Sequence, residues 1–400
     1  MKNIRVAVLG ANGQIASTLL RRLAEDSDIQ PVAVCRNQVG AAVISDVDCD
    51  VRIGSVAAQD AANKLLSDCD VVVNCIWPNL PSNQNELENQ AIIHNLSNLP
   101  RLARIIHLSS VAVYGCIHDG STFSRPRPDT VYGREKLSLE KYVAGVFGGL
   151  SRDYFIIRLG HVFGPDQWLS KSVVHLTGSG SFKLPFDGEC PSNAIHVDEL
   201  ANSLTWLVSA SISSGIYNLT ATPQKTWRKI FDWHSDICGL PRVASMSKAD
   251  SVALRDSYIK NSQRSSRTKC LIEILSWIRS LPIQQLIGSG ELRNVGSRAL
   301  RLMPDSIQRP VKLANALRHV NQEIDALGRP AIRPEPWLYS DAMPGRYIQA
   351  PHSTSYSDRL TESENQILDW YRAKSAPQWS FVDSTNAWKG PDRPEARVGV

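Results

Sequence analysis

Arg5-Val-Ala-Val-Leu-Gly10-Ala-Asn-Gly13-Gln-Ile-Ala16 decides how this chain is read. Arg5–Leu9 is a short apolar run with the composition of a buried strand. A glycine turn follows, then Gln14–Ala24, where Ile15, Leu19, Leu20 and Leu23 fall on one helical face. In such a strand–turn–helix, Gly10 permits the tight turn and Gly13 lets the backbone approach a pyrophosphate. Ala16 lets the helix pack close to the sheet. The first helical turn offers free N–H groups and a partial positive charge to the phosphates. Gly10, Asn12, Gly13, Gln14 and Ile15 are therefore the first candidate contacts of a dinucleotide cofactor.

The same alternation continues outward from this unit. Pro31–Cys35, Asp70–Ile76, Arg104–Leu108, Tyr154–Leu159, Ala194–Val197 and Gly215–Leu219 read as strands. Glu88–Leu99, Tyr132–Gly148 and Glu199–Val208 carry helical spacing. Continuous apolar strands separated by helices predict a parallel sheet covered on both faces, and right-handed crossovers make it doubly wound. Beyond residue 222 the rhythm changes to arginine-rich helical patches and a Pro- and Trp-rich stretch at Arg329–Arg346. The tail from Ser384 is polar.

Composition narrows the class. The chain has 400 residues, 42% apolar and 21% charged, which excludes a disordered or fibrous protein. Its 44 basic and 39 acidic residues leave a net charge of +5, too small for a general nucleic-acid binder. No apolar run reaches the ~18 residues of a membrane span. The start has neither an apolar signal core nor a cleavage site and reads directly as a strand. Eight scattered cysteines with no Cys-x-x-Cys pair predict reduced thiols in a cytoplasmic protein. The nine histidines show no ligand spacing, and Asp46-Val-Asp48-Cys-Asp50 lacks the Gly and Glu of a calcium loop, so no metal is expected.

Cofactor choice turns on the end of the second strand, Val34-Cys35-Arg36-Asn37. An acidic residue there would bind a ribose 2′-hydroxyl, whereas Arg36 can pair with a 2′-phosphate, which favours NADP over NAD. Tyr132-Gly-Arg-Glu-Lys136 puts Tyr132 and Lys136 on one face of a helix start. His107-Leu-Ser109-Ser110 ends another strand, and ligands bind beyond the carboxyl ends of such strands, so Ser110 stands at the cofactor edge.

These motifs together resemble the extended short-chain dehydrogenase/reductases, the family of NAD-dependent epimerases and dehydratases that modify nucleotide-sugars. The resemblance runs in family order. It takes in Gly10-x-x-Gly13-x-x-Ala16, Asp70-Val-Val-Val, Ser109-Ser110-x-x-Val113-Tyr114-Gly115 and Tyr132-x-x-x-Lys136. Arg158-Leu-Gly160-His161-Val-Phe163-Gly164-Pro165, Ile195-His196-Val197-Asp198-Glu199 and Gly215-Ile-Tyr217-Asn218-Leu follow, so it spans residues 5–219.

The resemblance implies a Rossmann-like α/β fold with a smaller, interleaved C-terminal substrate domain. It divides the chain into a cofactor domain at 1–165, with 194–222 returning to it, and a substrate region at 166–193 and 223–345. Residues 346–400 form a C-terminal extension. It implies Tyr132 as acid/base, Lys136 as the cation that lowers the phenol's pKa and holds the nicotinamide ribose, and Ser110 on the substrate oxygen. Trp77 and Gly160 fall against the cofactor, and His161 against the substrate. The expected substrate is a nucleotide-sugar in polysaccharide biosynthesis, with reductase and epimerase chemistry both open, and a homodimer is compatible with the family. The alternatives are reduction of a non-sugar carbonyl and a non-catalytic NADP(H)-binding regulator.

Several residues depart from the family. Ile76 and Trp77 stand where two small residues usually lie beside the cofactor, and Gly54-Ser55 replaces the Gly-Asp that helps bind adenine. Val111-Ala112 follow Ser110 where sugar dehydratases carry an acidic pair, which disfavours water elimination. Cys116 lies just past Tyr114-Gly115, out of place for a catalytic cysteine, and is expected to be a small buried residue. Residues 241–330 hold 15 basic and 7 acidic side chains, a net +8. Within them the amphipathic run 264–281 has three readings: a nucleotide-sugar diphosphate site, a peripheral membrane contact, or a packed helix with a solvated edge.

Overall fold

The fold was analysed in a computed structural model of the chain, which describes residues 4–78, 80, 82–115, 126–258, 260, 336–339, 342–344 and 346–348. The elements run in the order β1 (Ile4–Leu9), α1 (Gln14–Ala24), β2 (Ile29–Cys35), α2 (Gln38–Ala42) and β3 (Asp50–Ile53). Next come α3 (Gln59–Leu66), β4 (Val71–Asn74), α4 (Ser82–Ser97), β5 (Arg104–Ser110) and α5 (Val131–Gly148). β6 (Asp153–Leu159), β7 (His161–Phe163), α6 (Trp168–Gly178), β8 (Lys183–Leu184) and β9 (Ala194–His196) follow. The last are α7 (Val197–Leu207), β10 (Gly215–Leu219), α8 (Trp227–Cys238) and β11 (Ala244–Ser245).

Seven strands form one parallel sheet in the order β10-β6-β5-β4-β1-β2-β3. The order reverses between β1 and β4, the switch point at which such sheets bind ligands. Side chains alternate across the sheet. Val6 and Val8 join Leu19, Leu20 and Leu23 of α1 and Leu200, Leu204 and Leu207 of α7 in one core. Ala7 and Leu9 join Leu66 of α3, Ile92, Ile93 and Leu96 of α4 and Val143 and Phe147 of α5 in the other. Both faces are therefore covered, as the unbroken apolar strands require. This is the doubly wound Rossmann-like architecture expected from the sequence.

A third core lies outside this sheet. Phe163, Leu169, Val173, Phe182, Leu184, Trp227, Ile230, Phe231 and Tyr339 pack together, with the short pairs β7–β9 and β8–β11 beside them. Phe182 stacks on Phe231 at 5.5 Å between centroids. This core draws on the stretches between and after the large strands, consistent with a smaller interleaved unit.

Residues 346–348 rejoin the main sheet. Asn218 N–H donates to Arg346 O at 2.7 Å, and Ile348 N–H donates to Asn218 O at 2.9 Å, a parallel bridge on β10. Cys116, the run 264–281 and most of the expected C-terminal extension lie outside the described residues. Among the described residues, no helix is long and apolar enough to cross a membrane, and no group of three His, Cys, Asp or Glu side chains could hold a metal ion.

Candidate active site

The glycine turn forms as its residues dictate. Gly10 has φ +72°, and a Cβ there would meet Ile76 and the Cys75 backbone at 3.4–3.5 Å, so glycine is required for conformation. Its N–H and that of Ala11 donate to Val34 O at 3.2 Å, which ties the turn to β2. Gly13 is the N-cap of α1 and gives it no side-chain cap, and the first turn holds no acidic residue. The helix start therefore keeps donors and positive potential for an anion. Asn12 lies against Gly40, where an added Cβ would meet its amide at 3.2 Å. Gln14 Nε2 donates to Asp166 O at 2.7 Å, which links the turn to the loop before α6. Ile15 packs against the α1 side of the core. Arg36, one residue past β2, is exposed and has no ion-pair partner among the described residues.

Two strands along the sheet from β1, β5 delivers Ser110. Its hydroxyl accepts from Ala112 N–H at 3.2 Å and so caps the short 3₁₀ turn Val111–Tyr114. Thr130 caps α5 through Gly133 N–H, which fixes the first turn that carries Tyr132 and Lys136. Gly133 is needed here for a different reason: a Cβ would fall 2.3 Å from Ala112 O.

Ser110, Tyr132 and Lys136 are brought together. The Tyr132 ring is 40% exposed. Partial burial raises its phenol pKa, and a hydrogen bond with Ser110 works against that shift. Lys136 is only 5% exposed; its ammonium donates to Leu108 O at 2.9 Å and lies 5.8 Å from the centre of the Tyr132 ring. Burial pushes its pKa down to about 8, against an ordinary 10.5, with Cys75 and Glu140 opposing the shift. Trp77 joins them. Its ring centre is 4.2 Å from Lys136 Nζ, and its edge meets the Tyr132 ring at 5.0 Å and 81°.

The Lys136 shift has a sign that can be tested. Between pH 8 and 10.5 the unfolded chain binds the extra proton, so this group adds stability as pH rises through that window. Below pH 8 the buried ammonium costs the fold up to about 3 kcal/mol. Lys136→Met should therefore raise stability at pH 7 by roughly 1 kcal/mol, once the lost Leu108 hydrogen bond and the lost contact with the Trp77 ring are allowed for. Thermal denaturation at pH 7 checks it, and a lower melting temperature would refute the burial cost.

Gly160 and His161 follow β6 directly, and Leu159 stands in register with Ser110. A Cβ at Gly160 would fall 1.8 Å from Asn193 O, so no side chain fits. His161 lies 5.5 Å from the Trp227 ring, and burial lowers its pKa to about 4, which keeps it neutral. Through Trp227, His161 borders the small core.

A buried polar network under the trio is not evident in the motifs. Ser109 Oγ donates to Glu140 Oε1 at 2.5 Å, and Arg158 grips the same carboxylate through Nε and Nη2 at 2.6–3.2 Å. Arg158 Nη1 donates to Tyr114 Oη at 2.8 Å, and Tyr114 donates to Asn218 Oδ1 or Pro344 O. The signal in the sequence was Glu140, a charged residue one helical turn past Lys136 on an inward face. His107 is also buried. Its Nδ1 accepts from Asn74 Nδ2 at 3.2 Å, its Nε2 has no hydrogen-bond partner among the described residues, and its pKa is pushed down to about 3.

A sheet of this order, an uncapped phosphate-type turn and a Ser–Tyr–Lys trio define a dinucleotide-dependent enzyme class. The family profile described as NAD dependent epimerase/dehydratase family matches residues 6–220. The chain belongs to that family. ADP-L-glycero-D-manno-heptose-6-epimerase of Alkalilimnicola ehrlichii is 26% identical over 295 residues, 62% of this chain and 90% of that protein. Two solved structures share the fold. One is UDP-glucose 4-epimerase of Thermotoga maritima with UDP-glucose, at TM-score 0.51 and 15% identity over 61% of this chain and 85% of that one. The other is UDP-glucuronic acid 4-epimerase of Bacillus cereus with NAD, at TM-score 0.51 and 21% identity over 60% and 86%.

Proposed function

We propose that this chain is an NAD(P)-dependent epimerase or reductase of a nucleotide-activated sugar, with Tyr132 as its acid/base. The observation that carries this is the hydrogen bond of Ser110 with Tyr132 at the carboxyl end of β5, with the Lys136 ammonium 5.8 Å from the centre of the Tyr132 ring. The residues fit a dinucleotide: the α1 N-terminus is open, Gly10 and Gly13 allow close approach, and the exposed guanidinium of Arg36 is free for a 2′-phosphate. When bound, the nicotinamide supplies or takes the hydride. Tyr132 gives its proton to the substrate oxygen in the step that returns the hydride to carbon, and takes the proton of the substrate hydroxyl in the oxidative step with which an epimerase begins; Ser110 Oγ holds that oxygen by a second hydrogen bond. Lys136 supplies positive charge that stabilises the phenolate left behind.

Arg36 supports NADP(H) as the cofactor. The heptose-epimerase relative, matched over nine-tenths of its length, supports epimerisation over reduction. On this reading residues 1–165 and 194–222 bind the cofactor, and 166–193 and 223–345 bind the sugar nucleotide. The free described cysteines support a cytoplasmic location.

The test is a titration of the purified protein with NADPH and NADH by tryptophan fluorescence, followed by NMR of ADP- and UDP-sugars incubated with it. NADPH should bind at least about tenfold tighter than NADH, a preference worth about 1.4 kcal/mol that Arg36→Ala should erase. NAD(H) retained through purification, with no preference for the 2′-phosphate, would overturn the role of Arg36 and leave an NAD-dependent epimerase. No binding of either dinucleotide would sink the reading as a whole.

A further inference from the structure

We propose that Trp77 is a positioning residue of the active site, whose indole takes the place of a counter-ion for Lys136 and braces the ammonium beside Tyr132. The inference rests on the reading of Tyr132 and Lys136 as the reactive pair.

A buried ammonium needs a partner for its charge. Among the described residues, Lys136 Nζ has one hydrogen bond, to Leu108 O, and no ion pair. Glu140, one turn along α5, is taken up by Arg158 and Ser109. The other titratable groups around Lys136 are the Cys75 thiol at the end of β4, His107 on β5 and Tyr132 on its own helix. Cys75 is pushed up to about 12 and His107 down to about 3, so both are neutral near pH 7. What faces the ammonium instead is the indole of Trp77, with its ring centre 4.2 Å away. A π face at that distance attracts a cation, most strongly where water is excluded.

The same indole meets Tyr132 edge-on at 5.0 Å and 81°, an arrangement aromatic pairs prefer. One side chain therefore touches both members of the pair. Its loop is held as well: Ile76 N–H donates to Asn74 Oδ1 at 3.1 Å, and Pro78 restricts the backbone of Trp77.

The test is a double-mutant cycle of Trp77→Leu and Lys136→Met, read by thermal unfolding at pH 7 and pH 10. Rate profiles of wild type, Trp77→Leu and Trp77→Phe accompany it. At pH 7 Trp77→Leu should lower the melting temperature more with Lys136 present than in the K136M background. At pH 10, with the amine neutral, that difference should shrink towards zero. In turnover, Trp77→Leu should move the alkaline limb down by about one pH unit and lower kcat about tenfold, with KM changed less than about threefold. Trp77→Phe, which keeps a π face, should recover most of both. Additive effects at pH 7, or an alkaline limb that does not move, would overturn the proposal. Absence of any turnover by wild type would fail the proposed function instead, and the unfolding cycle would still decide on Trp77.

Discussion

Tyr132→Phe should lower turnover by about 10²–10⁴-fold while NADPH affinity stays within about threefold. The substitution removes one oxygen and keeps the ring. The edge contact with Trp77 and the seat beside Lys136 should both persist. The helix cap is untouched, because Thr130 bonds Gly133 and not Tyr132. Ser110→Ala is a less clean probe, since that hydroxyl also caps the turn to Ala112. In wild type the reductive rate should be flat through neutral pH. It should fall above about 8 as Lys136 loses its proton. A Tyr132→Phe protein that turns over within threefold of wild type would place the proton donor elsewhere.

Arg158→Met should cost the fold about 3–5 kcal/mol. The Arg158 side chain is 10% exposed and its partner Glu140 1%, with their closest atoms 2.6 Å apart. Removing the guanidinium strands a buried carboxylate, and among the described residues only Ser109 is left to donate to it. At roughly 2–4 °C per kcal/mol for a region of this size, the melting temperature should drop by about 10 °C. Glu140→Gln in the same chain should recover part of the deficit, because the amide leaves no stranded charge. No recovery in the double variant would mean that the pair is not the source of the effect.

The main sheet was legible because its strands are buried on both faces and its helices keep one apolar stripe. The first helix and the last large strand fall at Gln14–Ala24 and Gly215–Leu219, as their patterns predict. Asp70–Ile76 shortens to Val71–Asn74, because the Asn74 side chain caps Ile76 and turns the chain out of the sheet. The edge strand Asp50–Ile53 is mostly exposed and carries no apolar run, so periodicity does not mark it. The small core was hidden for a related reason: strands of two or three residues have no measurable period, and its aromatic side chains come from distant segments. Ser110, Tyr132, Lys136 and the glycine turn announced themselves through local spacing. The Trp77–Lys136 contact joins residues 59 positions apart. The Glu140–Arg158 pair uses residue types whose default place is the surface. Neither follows from spacing alone.

The bridge between Asn218 and residues 346–348 has a consequence for the nascent chain. β10 is complete once Leu219 has been synthesised, yet the segment that covers its outer edge comes roughly 130 residues later. At about 5–20 residues per second, the interval is on the order of ten seconds. Throughout it the growing polypeptide exposes an unpaired strand edge, the kind of template on which chains join one another. Tyr114 also waits for the Pro344 carbonyl over the same interval. Biogenesis, more than the finished protein, is where this chain should depend on chaperones, and slowing translation after residue 219 should lower its soluble yield.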